Sequence, residues 1–169
     1  MRENITSAMW EQINKFYLMV QSASFNDGPL DVPHNFFTEI KMASHLYVGI
    51  ADSTMSHGEG WHFGHLRQLL ERADKTARIL DGMYYMLLPA ITAGGASNDD
   101  VTWSAVLKSA SGFEMYRRRH GMISPQQVAN FLMLDREFPR SMHYCVGRAE
   151  ESLHAISGSA VGTFQNAAE

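Results

Sequence analysis

Two segments, Glu59-Gly-Trp-His62 and Glu151-Ser-Leu-His154, each place a carboxylate three residues ahead of an imidazole. On a helix this spacing matches the Glu-x-x-His ligands of di-iron four-helix bundles, in which the metal does oxidative or hydrolytic chemistry. Such a centre also needs single carboxylates from two other helices, and Glu39 and Glu114 are the ones to propose. Two arguments weigh against it. Ten Glu and eight His in 169 residues yield about 0.5 matches to the spacing by chance. With Ala149 on the inner seam of the last helix, Glu151 falls near about 200° and His154 near about 140°, both turned from the core. Glu59 sits at a helix start, where the dipole already accounts for a carboxylate. The expectation is therefore no metal and no cofactor, with Glu59, His62, Glu151 and His154 as the residues that would hold a metal if one bound.

The other reactive groups give little. His57, His62 and His65 spread too widely round a helix for one tetrahedral site. Cys145 lies on an apolar seam with no basic neighbour in its own turn, as a packed thiol does. Gly94-Gly95-Ala96 lacks both the Lys-Ser/Thr and the preceding strand of a phosphate-binding loop. A Ser–His–Asp triad is a matter of geometry, and spacing neither finds nor excludes one.

Arg72 is the most unusual charge. Setting Leu66 at zero on a helical wheel, Leu66, Leu70, Ala73, Ala77, Leu80 and Tyr84 cluster within about 40° as the main seam. Leu69, Thr76, Met83, Ile79 and Met86 widen the apolar arc to about 200° on one side. Arg72 falls at about 240°, between Ile79 and Met83, whereas its neighbour Glu71 points about 100° away. A guanidinium among apolar side chains is expected to take a carboxylate from another helix, with Glu114, Asp135 and Glu150 as candidates. An anion- or substrate-binding arginine is the competing expectation. The opposite sector carries the i,i+4 pairs Glu71–Lys75 and Asp74–Arg78, the pattern of a solvated face. Arg117-Arg118-Arg119-His120, just before Gly121, reads as cationic capping of a helix C-terminus.

Helical period governs the elements that position these groups. A first helix over about 3–22 presents Ile5, Met9, Ile13, Phe16 and Val20 on one face. The Gly/Pro-rich stretch 25–33 is a loop, and a second helix over about 34–56 carries Phe36, Ile40, Ala43, Tyr47 and Ile50. A third runs from Glu59 to Leu88, stopped by Pro89, followed by a polar loop to Asp100. The fourth is expected over about 100–120, ending at Gly121. Ser124-Pro125 caps a short helix to Leu134, and the last long helix spans about 137–157. This is an all-α bundle of about six helices, with 1–158 as a single domain and 159–169 as a tail that begins a further helix.

Composition narrows the class. Hydrophobic residues form 45% of the chain, which excludes intrinsic disorder at this length. The net charge of −4 offers no field for nucleic acid. The apolar run 83–91 is too short for a membrane span, the start lacks a signal-peptide core, and one cysteine suits a reducing compartment, so a cytoplasmic protein is expected.

Several segments, in order, resemble a known family. They are Ser7-Ala8-Met9-Trp10-Glu11, Glu59-Gly60-Trp61, Leu70-Glu71-Arg72-Ala73-Asp74-Lys75-Thr76-Ala77-Arg78, Phe113-Glu114-Met115-Tyr116-Arg117-Arg118, the run Leu134 to Ser141, and Arg148-Ala149-Glu150. Together they resemble alpha-E, a bacterial helical domain named for its Glu-Arg motif and without an established activity. The resemblance implies a family-motif site at Glu71, Arg72, Asp74, Arg78, Glu114, Tyr116, Arg117, Asp135, Arg140, Arg148 and Glu150. It also implies an ATP-grasp-like partner and a nearby transglutaminase-like peptidase, and hence an accessory or scaffold role in a peptide- or amide-bond-forming system. Family domains are longer, so the chain resembles their later part. Apolar faces that further helices would cover imply self-association. A metal-dependent enzyme and a purely structural oligomerisation module are the alternatives, and whether the chain is itself an enzyme stays open.

Overall fold

A computed structural model of the protein describes residues 5–26, 34–92 and 99–160. These form seven helices and, among the described residues, no strand: α1 (Ser7–Asn26), α2 (His34–Thr54), α3 (Glu59–Thr92), α4 (Asp99–Ser109), α5 (Phe113–Arg119), α6 (Pro125–Leu134) and α7 (Met142–Ser157). The all-α class is as the sequence implies. No helix among the described residues is long and apolar enough to cross a membrane. The expected loops at 25–33 and 92–100 and the tail beyond 160 lie largely outside the described residues. The chain divides into two compact units, Met1–Trp61 and His62–Glu169.

The first unit is an antiparallel hairpin of α1 and α2. Thr6 and Thr54 share a hydroxyl–hydroxyl bond of 2.9 Å at one end, and Gln12 Nε2 donates to the Ala43 carbonyl at 3.3 Å further along. On α2 the expected stripe of Phe36, Ile40, Ala43, Tyr47 and Ile50 is half-buried throughout. On α1 the seam turns slightly from the expected one, so Met9 and Gln12 are buried whereas Ile13 is 37% exposed. No residue of α2 is fully buried, because two helices alone cannot enclose a core.

The second unit carries the core. Trp103, Val106 and Leu107 of α4, with Ala110 just beyond it, pack with Tyr116, Val128, Phe131, Leu132 and Phe138, and Met83 of α3 joins them. A smaller cluster joins α3 to α7 through Leu69, Cys145 and Ala149, with Leu66, Ala73 and Tyr144 against it. Thus the buried seam of α3 runs through Leu69, Thr76 and Met83, with Leu70 exposed. It is rotated by about 80° from the centre of the seam expected on Leu66, Leu70 and their partners. The apolar arc was wide enough to hold two centres, and packing against α7 selects the one with Leu69.

Three boundaries differ from expectation. Helix α3 continues through Pro89 to Thr92, since a proline removes one hydrogen bond and strains the preceding turn without having to end the helix. The expected single helix over 100–120 is broken. Gly112 N donates to the Leu107 carbonyl at 2.7 Å and Ser111 N to that of Lys108 at 2.9 Å, the bonding of a Schellman stop. The left-handed position belongs to Ser111 (φ 53°) rather than to a glycine, so no residue type marks the stop. Gly112 serves a different purpose: a Cβ there would stand 2.9 Å from Phe138 Cζ and 3.2 Å from Phe131 Cε1. Finally, α7 starts at Met142, leaving residues 135–141 as a connector.

Gly112→Ala is expected to lower unfolding free energy by about 1–3 kcal/mol through overpacking against the two rings. Denaturant titration measures this, and an unchanged midpoint would show that Phe138 yields freely.

Candidate functional site

Helices α3 and α5 both reach the 135–141 connector. Asp135 caps α6, and its Oδ1 accepts the backbone N–H groups of Glu137 (2.8 Å) and Phe138 (2.7 Å). This is the short-range turn that an aspartate makes with the backbone ahead of it. Its other oxygen accepts Arg119 Nη1 at 2.5 Å, and Arg119 Nη2 bonds Glu137. Asp135 is only 12% exposed on its side chain, so this bridge is better shielded than an ordinary surface pair.

Ser141 closes the other end. Its hydroxyl, fully buried, donates to the Asp135 carbonyl and accepts Tyr144 N at 3.1 Å as the N-cap of α7. Buried Thr76 of α3 donates to the Arg140 carbonyl at 2.8 Å, tying the motif helix to the connector. Phe138 is driven inward and stacks on Phe131 with centroids 4.6 Å apart. Tyr116, also fully buried, donates its hydroxyl to the Met122 carbonyl at 3.0 Å. That bond satisfies a polar group that would otherwise be costly at this depth.

The Glu-Arg pair itself is arranged differently from expectation. Glu71 is exposed and bonds Arg67 at 3.0 Å, not Lys75. Asp74 and Arg78 pair at 2.7 Å as expected. The hydrogen bond to Asp74 and its charge raise the Arg78 pKa above its usual value. Arg72 is half-buried, and no carboxylate among the described residues comes within ion-pair distance of it. The expected buried ion pair is therefore corrected. The rotation of the α3 seam brings its centre to within about 40° of Arg72, so the long stem packs against the core while the side chain stays half-buried. Of the three acids considered for it, Glu114 is exposed, Asp135 is taken by Arg119, and Glu150 lies 3.8 Å from His154.

Arg72 and Arg140, the latter also half-buried, both act on Cys145. Burial pushes that thiol above its ordinary value, and the two arginines pull it back only in part. Cys145 is fully buried with Sγ 3.5 Å from the Pro139 carbonyl, as a packed thiol should be. Arg117 is exposed over the Phe113 ring, and Arg148 bonds Glu151 on the surface of α7.

Of the Glu-x-x-His residues, Glu59 and Glu151 are exposed and His62 is half-buried. His154, expected to face away from the core, is buried. The chain reverses at Gly158 (φ 70°), which brings Ser159 Oγ within 2.9 Å of His154 Nδ1. Wheel reasoning on one helix could not foresee that covering segment. Among the described residues no group of three His, Cys, Asp or Glu side chains is placed to hold a metal. His57 stacks on Trp61 at 4.1 Å instead.

The residues that matter most here and drew least notice in the sequence are Arg119, Thr76 and Ser141. Arg119 read as a helix-end cation; only the Asp135-x-Glu137 turn signature could have supplied its partner. Chemically, the connector is committed to structural bonds: the Asp135 carboxylate already accepts from three donors. The charged stripe of α3, Arg67, Glu71, Asp74, Lys75 and Arg78, is exposed throughout.

Compared with known families, residues 1–169 match Alpha-E, described as a predicted alpha-helical domain with a conserved ER motif. No curated protein and no solved structure matches the chain.

Asp135→Ala is expected to cost about 2–3 kcal/mol by orphaning two amides and the Arg119 bridge. Glu71→Ala and Arg72→Ala should each change stability by less than about 1 kcal/mol. Equilibrium unfolding of the three variants measures the contrast. An Arg72→Ala loss as large as that of Asp135→Ala would mean that Arg72 has a buried partner after all.

Proposed function

The chain belongs to the Alpha-E family over all of its 169 residues, its only Glu-Arg dipeptide being Glu71-Arg72, and on that premise we propose that it is a non-catalytic accessory or scaffold protein. The observation that carries this reading is the division of labour within the motif helix. Thr76 turns inward to fix the connector, while Glu71, with Arg67, Asp74, Lys75 and Arg78, forms an outward stripe of mixed charge. A rigid helix presenting alternating charges suits recognition of a protein partner, because complementary charges set register and encounter rate.

The partner class comes from the family resemblance: an ATP-grasp-like protein in a cytoplasmic peptide- or amide-bond-forming system, with a transglutaminase-like peptidase as a second associate. There the ATP-grasp protein would activate a carboxylate as an acyl phosphate for attack by an amine. This chain would hold the enzyme or present its substrate through the α3 stripe. The deep commitment of Asp135, Tyr116 and Ser141 to structural bonds supports a scaffold over an enzyme of its own.

The test is co-purification of the chain with the ATP-grasp-like protein from its own cells, followed by ATP turnover with and without the chain. Turnover is expected to change by about tenfold or more. Glu71→Lys combined with Arg78→Glu should abolish the effect while leaving the melting temperature in place. Turnover indifferent to the chain, or an amide-forming activity by the chain alone, would overturn the scaffold reading.

A further inference from the structure

In the second unit the acids go to arginines that water already serves. Arg67, Arg78, Arg119 and Arg148, each bonded to a carboxylate, are all exposed. Arg72 and Arg140 are the two half-buried arginines among the described residues, and neither has a carboxylate within ion-pair distance. This inverts what internal electrostatics favours, because a lone charge costs more as water is withdrawn.

The two arginines meet at one junction. Thr76 of α3 donates to the Arg140 carbonyl at 2.8 Å. Arg72 stands one turn before Thr76, about 6 Å along the axis and about 40° round it. On the other side of Arg72, Leu69 packs on Cys145 of α7. The chain from Arg140 to Cys145 therefore passes beside Arg72, and the charges of both arginines reach the Cys145 thiol. Arg140 also directly precedes Ser141, the N-cap of α7, where the helix dipole disfavours a cation. No acidic residue stands in the first turn of α7 to relieve it. Asp135 and Glu137 of the connector are both taken by Arg119.

We propose that Arg72 and Arg140 together clamp a phosphate group at this junction. Two guanidiniums bring two positive charges, and a phosphate group carries about −1.5 to −2 at neutral pH. Its oxygens also accept the parallel bonds of a guanidinium fork. A carboxylate would neutralise only one of the two. A purely structural pair of arginines would keep an acid of the chain at hand, as Arg119 keeps Asp135. Binding is a property of the chain alone, so the inference does not rest on the ATP-grasp-like partner.

Titration of the full chain with inorganic phosphate at constant ionic strength, followed by amide nitrogen–proton NMR, tests the site. Saturable shifts are expected at the amides of residues 72–76 and 140–145, with a dissociation constant of about 1 mM or below. Arg72→Gln and Arg140→Gln should each weaken binding about tenfold or more, while Arg67→Gln, at an exposed position, should leave it within about twofold. Arg72→Lys keeps the charge without the fork and should also weaken binding, which decides the matter if a glutamine variant does not fold. Acetate should bind about tenfold less tightly than phosphate. O-Phosphoserine separates the sources: tighter binding than inorganic phosphate assigns the site to a phosphate ester, weaker binding to the free ion. No saturable shift up to about 50 mM phosphate, shifts confined to Arg117–Arg119, acetate binding as tightly as phosphate, or an affinity indifferent to the Arg72 and Arg140 variants would each overturn the proposal.

Discussion

A single carboxylate organises the second unit. Asp135 sits where α6 ends, accepts the next two free amides and holds Arg119 of α5 at its other oxygen. Helix ends leave polar groups that must be satisfied when buried, and here one short side chain does so while fixing the direction of the chain. The packing of the later segments depends on that direction. Phe138 is delivered to Phe131, Ser141 reaches the α7 N-terminus, and Cys145 and Ala149 come down on Leu69. Thr76 then couples the connector to the motif helix from outside its own neighbourhood in sequence.

This arrangement gives the Glu-Arg motif a physical meaning that an isolated ion pair would not. Glu71 and Arg72 are adjacent in sequence but about 100° apart on the helix, so they serve different surroundings. Glu71 belongs to the solvated stripe with Arg67. Arg72 stands at the margin of the core and biases the Cys145 thiol without neutralising its burial. The helix is thus held from within by Leu69, Thr76 and Met83, and its charges face outward.

Local periodicity made much of this legible. The α2 stripe, the Ser124-Pro125 start of α6 and the Asp74–Arg78 pair were all implied by spacing alone. The misses share a cause: each depended on contacts distant in sequence. The α3 arc was apolar over so wide a sector that only packing against α7 could choose Leu69 over Leu70. The α4–α5 break uses a serine in the left-handed position, and its glycine is explained by Phe138, 26 residues further on. Arg119 and Asp135 are separated by a turn and a whole helix, so neither announces the other. His154 is covered by a reversal of the chain after its own helix has ended.

The bonds of the connector carry the central claim, that Asp135 holds the second unit together. Native-state hydrogen exchange at the amides of Glu137 and Phe138 tests them most directly, because each amide takes the Asp135 carboxylate as its acceptor. Both are expected to exchange only through global unfolding, with protection matching that of the buried turns of α6 and α7. Exchange at the rate of an open loop would contradict the claim.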